Sequence, residues 1–97
     1  MILYHGTPRK NLKSILKYGL SPKSFGKWVY LTDDPVEARS SALDAAWERG
    51  EDPNQIDIVV LKVQIPDTRK LIGADAEYLE DVVYEGWIDP KYLEVVR

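Results

Sequence analysis

The chain has 97 residues, 44% of them hydrophobic and 30% charged, with three Trp and six Tyr, which suits one small folded domain over residues 1–97 and is too apolar and aromatic for a disordered segment. It contains no Cys and a single His, so disulfides, thiolate metal sites, a Cys nucleophile and a histidine-rich metal centre are excluded and no metal is expected. The net charge of −3 conceals an asymmetry: six basic residues and no acidic one precede Asp33, whereas seven basic residues face sixteen acidic ones from Asp33 onward.

A basic N-terminal third suits a ligand that carries phosphate, although Lys13 and Lys17 on a helix and Lys23 and Lys27 in a loop also fit ordinary solvated surface. No apolar run approaches a membrane span, and the N-terminus lacks a charged-then-apolar leader. The expectation is a soluble cytoplasmic protein with no membrane partner.

Ile2 to His5 reads as a short strand broken by Gly6. Asn11 to Tyr18 has Leu12, Ile15 and Leu16 at helical spacing, and Gly19 stands where a left-handed residue stops a helix. Ser21 to Lys27 is loop. Trp28 to Thr32 is a strand rich in aromatic and β-branched residues. Asp34-Pro35-Val36-Glu37 then opens a second helix: Asp34 can cap it, Pro35 suits its first position and Glu37 completes a capping box. That helix carries Val36, Ala38, Ala42, Ala45 and Ala46 and should end near Arg49-Gly50.

Ile56 to Ile65 is the strongest strand, with Ile58, Val60, Lys62 and Gln64 on one face and Val59, Leu61, Val63 and Ile65 on the other. Pro66-Asp67 ends it. Leu71 to Ala74 is ambiguous. Asp81 to Tyr84 is a strand, Glu85-Gly86 a turn, and Tyr92 to Val96 a last strand. Strands separated by only two main helices mean an α+β fold, with a mixed or split β-sheet and helices on one side.

Three residues invite a chemical reading, and each also has an ordinary one. His5 ends a strand beside Gly6, where a ligand can approach main-chain groups closely; a lone His is also commonly structural. Tyr30 lies in an apolar strand, where its ring can stack on a flat heteroaromatic or simply fill the core. Glu80 enters a β-run in an acid-rich region with Glu77, Asp81 and Glu85, and such a carboxylate is often an edge charge.

Their order and surroundings add what no single residue gives. The runs Leu3-Tyr4-His5-Gly6-Thr7, Asn11-Leu12 with Ser14-Ile15-Leu16, Gly19-Leu20-Ser21-Pro22 and Val29-Tyr30-Leu31-Thr32 resemble the opening half of the ADP-ribosyltransferase superfamily, especially RNA 2′-phosphotransferases and DNA-modifying ADP-ribosyltransferase toxins. Glu80 to Tyr84, followed by Ile88-Asp89-Pro90-Lys91-Tyr92-Leu93, is similar to the region of poly(ADP-ribose) polymerases that holds the catalytic Glu.

The resemblance implies NAD⁺ as co-substrate and His5, Tyr30 and Glu80 as the active-site trio. His5 would hydrogen-bond the adenosine ribose, and Gly6, with Thr7 beside it, would offer backbone to the nicotinamide carboxamide. Tyr30 would stack on nicotinamide, and Arg9 or Lys10 would neutralise the diphosphate. Glu80 would hold the 2′-hydroxyl of the nicotinamide ribose and align the nucleophile; its choice over Glu77 or Glu85 rests on the register of one strand, in which a two-residue slip is open.

RNA 2′-phosphotransferases carry a further N-terminal lobe, whereas Met1 here begins directly at the first strand. The expected reaction is therefore transfer of ADP-ribose to a protein or nucleic-acid acceptor, with a toxin-like role among the options. Two further readings stay open: a module of the same fold that binds NAD⁺ or ADP-ribose without turnover, and a small interaction or inhibitor protein that binds neither.

Overall fold

The computed structural model describes residues 1–22, 28–52, 54–73 and 82–96. Its elements in chain order are β1 (Ile2–Pro8), α1 (Leu12–Tyr18), β2 (Trp28–Leu31), α2 (Pro35–Glu48), β3 (Ile58–Gln64), β4 (Leu71–Ile72), β5 (Val82–Glu85) and β6 (Leu93–Val95), with short 3₁₀ turns before α1, β4 and β6. The fold is α+β, with two helices and two three-stranded sheets. One sheet has the order β1-β3-β6 and the other β2-β5-β4. Every pairing is antiparallel, so the sheet is split and not mixed.

Among the described residues, the backbones of the two sheets meet in a bridge between β1 and the end of β2. Tyr4 N–H donates to the Thr32 carbonyl at 2.7 Å, and Thr32 N–H returns a bond to the Tyr4 carbonyl at 3.0 Å. Beyond that bridge the strands part, and the core fills the space between sheets. Leu3, Leu61 and Val63 come from the first sheet; Val29, Leu31, Val82 and Tyr84 come from the second. Leu20 and Ile88 close one end, held by a reciprocal backbone bridge. Alternation along β3 is as the sequence predicts: Val59, Leu61 and Val63 are buried on the core face, with Ile65 just beyond the strand.

Helix α2 covers the opposite face of β1 and β3. It starts where expected, with Asp34 Oδ1 accepting from Val36 N–H at 2.8 Å. Ala38, Ala42 and Ala46 are its buried residues; Val36, counted on the apolar pattern, is exposed.

Gly6 does not end β1. The strand continues to Pro8, with Gly6 opposite Val60. A Cβ at Gly6 would lie 2.2 Å from the Ala38 carbonyl oxygen and 2.9 Å from the Ala42 Cβ. The residue is glycine because a helix backbone rests on it. At Gly19, φ is +97°, and the helix stops there with its N–H on the Ile15 carbonyl. The ambiguous Leu71-Ile72 pair forms an edge strand against β5, and Tyr92 belongs to a 3₁₀ turn that precedes β6. The expected strand residue Asp81 lies outside the described residues.

Candidate functional site

Because side chains alternate along a strand, β1 points Leu3, His5 and Thr7 to the same face. Leu3 reaches the core, while His5 and Thr7 are buried where the two sheets diverge. His5 is 4% exposed. Its Nδ1 lies 2.8 Å from the main-chain carbonyl oxygen of Tyr30. A carbonyl only accepts, so Nδ1 carries the hydrogen and the neutral ring keeps its lone pair on Nε2. Burial pushes the His5 pKa below its ordinary 6.5, and the bond to Tyr30 opposes that shift in part. The imidazole thus ties β1 to β2 just past the Tyr4–Thr32 bridge, where the backbone ladder ends. This structural duty belongs to the same residue singled out for chemistry.

Two clefts open on either side of this point. The first, of about 380 Å³, is lined by Tyr4, His5, Gly6 and Tyr30 from the strands and by Ala42 and Arg49 from α2, among others. The second, of about 320 Å³, takes in His5, Thr7, Asn11, Tyr18, Trp87 and again Arg49. Each is near the lower end of the volumes typical of small-molecule sites. Tyr30 is not a core residue: it is 48% exposed and forms part of the first cleft. Its ring is thus partly exposed at the rim of that cleft.

The structure therefore brings His5, Gly6 and Tyr30 to one cleft and Thr7 to its neighbour. Arg9 lines neither. It is exposed beyond the end of β1, where its Nε pairs with Asp57 and its backbone N–H bonds the Asp57 carbonyl at 2.8 Å. Lys10 also lines neither cleft, but it bonds Glu51 at 2.9 Å. Glu80 and Glu77 lie outside the described residues. Glu85 is exposed at the far end of β5, opposite Trp28, and lines neither cleft.

One residue of both clefts escapes the sequence reading. Arg49 follows Ala38, Ala42 and Ala45 at spacings of four, three and four, which is the face that α2 turns to β1. That spacing is the signal that could have found it. Its guanidinium bonds Glu51 at 2.9 Å. Lys10 first, and then Arg49, hold the Glu51 carboxyl below its ordinary range.

No protein-family model matches the chain. A stretch of 36 residues is 56% identical to a probable RNA 2′-phosphotransferase of Thermococcus kodakarensis. The stretch is 37% of this chain and 19% of the relative's length. The chain is thus similar, over part of its length, to a member of the ADP-ribosyltransferase-like superfamily.

Proposed function

We propose that this chain is an NAD⁺-dependent mono-ADP-ribosyltransferase, acting on a protein or nucleic-acid acceptor. The observation that carries the reading is the convergence of His5, Gly6 and the half-exposed Tyr30 on one cleft, in a chain with a partial match to an RNA 2′-phosphotransferase. The Tyr30 ring stacks on nicotinamide, and the Gly6 backbone faces the carboxamide. His5, held in one tautomer by the Tyr30 carbonyl, bonds a ribose hydroxyl.

Cleaving the nicotinamide–ribose bond develops positive charge on the ribose, as in glycoside hydrolysis. A fixed carboxylate in a water-poor cleft stabilises that charge. We assign this role to Glu80, two residues before Val82 in the chain; Val82 pairs with Leu31, which lines the first cleft. The acceptor's nucleophile bonds to the ribose carbon, the glycosidic electron pair leaves with nicotinamide, and nicotinamide departs neutral without a general acid.

The test is nicotinamide release from NAD⁺, with Glu80→Gln and Tyr30→Ala beside the parent protein. Release should vanish in Glu80→Gln while NAD⁺ binding persists, and Tyr30→Ala should weaken binding by ~0.5–1.5 kcal/mol, the worth of one aromatic stack. Full activity in both variants would sink the assignment, and NAD⁺ binding without release would make the chain a binding module.

The partial match favours a second reading, in which the acceptor is the 2′-phosphate of an RNA. A 2′-phosphorylated oligonucleotide included in the same assay separates the two. Loss of its phosphate, dependent on NAD⁺, selects the second.

A further inference from the structure

Two cations from different elements converge on one carboxylate where β1 ends beside the C-terminus of α2. Lys10 Nζ donates to Glu51 Oε1 at 2.9 Å, and the Arg49 guanidinium donates to Glu51 Oε2 at 2.9 Å. Among the described residues, Arg49 is also the charged side chain that both clefts share. Lys10 and Arg49 are largely solvent-facing and Glu51 only partly so; ion pairs of this kind are weak and exchange partners readily.

A carboxylate offers these two cations one negative charge on two oxygens. A diphosphate offers more charge and more acceptor oxygens, and a guanidinium binds phosphate through paired N–H groups. The surroundings oppose an anion. Glu48 lines the first cleft, and the last carbonyls of α2, on which the Arg49 N–H sits, add negative potential. Lys10 and Arg49 supply the positive charge against this background, and Glu51 already claims both.

We propose that Lys10 and Arg49 form a diphosphate-binding site at the rim of the two clefts, where Arg49 lines both and Lys10 reaches it through Glu51, and that Glu51 is its built-in competitor. Glu51 holds both cations until the ligand's phosphates displace it, which sets the affinity low and keeps adventitious anions out. Only the ligand's identity, the diphosphate of NAD⁺, rests on the function proposed above; the anion site rests on the ion-pair geometry.

The probe is inorganic pyrophosphate, titrated calorimetrically at low salt into the parent protein, Glu51→Gln, Arg49→Gln and Lys10→Gln. Glu51→Gln should bind about tenfold more tightly than the parent, and Arg49→Gln and Lys10→Gln about tenfold more weakly. The differences should shrink as salt screens the charges. All three residues are at the surface, and a melting curve for each variant confirms that it is folded; Lys10→Gln reports the same site should Arg49→Gln disturb the helix end. Unchanged, weaker or unmeasurable pyrophosphate binding by Glu51→Gln overturns the proposal, as does full binding by both cation variants. The same proteins titrated with NAD⁺ separate the two readings: the pyrophosphate pattern without any NAD⁺ binding leaves the anion site standing and removes the dinucleotide.

Discussion

On one face of the β1-β3-β6 sheet, Leu3, Leu61 and Val63 send fully buried side chains towards a second sheet. On the other, α2 approaches so closely that Gly6 has no room for a methyl group, with Ala38 and Ala42 as its partners. The first face gains stability from apolar area removed from water. The second gains it from backbone approach between small residues, where side-chain volume is the obstacle. The clefts open along the edge between these regimes, because α2 turns short Ala side chains to β1 while the two sheets spread apart. His5 sits at that edge: it is buried as if in the core, but satisfied by a main-chain carbonyl.

The contrast breaks most directly by substitution on each face. Leu61→Ala, which empties a fully buried position, should cost about 3 kcal/mol through lost transfer energy and a cavity. Gly6→Ala should cost about 2 kcal/mol for the opposite reason, overpacking against a helix backbone that must shift. Urea unfolding of both proteins gives the two values. A neutral Gly6→Ala would mean that α2 moves freely over β1, and the two-regime account would fail.

A smaller effect tests the edge. Because burial lowers the His5 pKa, the unfolded chain binds more protons than the native one between the native pKa and about 6.5. Stability conferred by neutral His5 is fully present above about pH 6.5 and is lost as pH falls through the native pKa. The slope reaches at most about 1.4 kcal/mol per pH unit for one proton. Glu51 and Asp67 are held low by their basic neighbours, so their contributions are lost as pH falls from the ordinary carboxylate pKa through the lowered native one, below the His window. As the only His in the chain, His5 owns the upper window. Melting temperatures from pH 7.5 to 5 should fall in the parent and stay nearly flat in His5→Gln. Equal slopes in the two proteins would remove His5 from the buried edge.

What the residues disclose in advance follows from how local the cause is. The alternation of Ile58 to Ile65, the Asp34-Pro35 helix start and the Gly19 stop are decided by neighbours in the chain, and all three are legible. Gly6 is misread as a strand end because the reason for it, the carbonyl of Ala38, is distant in sequence. The two-residue β4 is ambiguous because only its pairing with β5 makes it a strand. His5, Gly6 and Tyr30 are legible as cleft residues through the order of their surroundings. The Tyr30 carbonyl that fixes the imidazole is main chain, however, and leaves no mark on residue type. Arg49 is passed over because a charge at a helix end reads as a cap to solvent, although its spacing from Ala42 and Ala45 turns it to β1.

The smallest expected effect separates two arginines that composition alone treats alike. Arg9 and Arg49 each hold a carboxylate at the surface, but Arg9 lies outside both clefts and Arg49 lines both. Exposed ion pairs contribute about 0–1 kcal/mol, so Arg9→Ala should shift stability by less than about 1 kcal/mol and leave NAD⁺ affinity where it was. Arg49→Ala should be as mild in stability yet weaken NAD⁺ binding, since it removes the one cation that, among the described residues, lines both clefts. Paired urea and binding titrations on the two variants measure both quantities. Weaker NAD⁺ binding in Arg9→Ala would bring the diphosphate to Arg9, the other cation that the resemblance offers. The Asp57 pair would then have to open for the ligand, as the Glu51 pair is proposed to do.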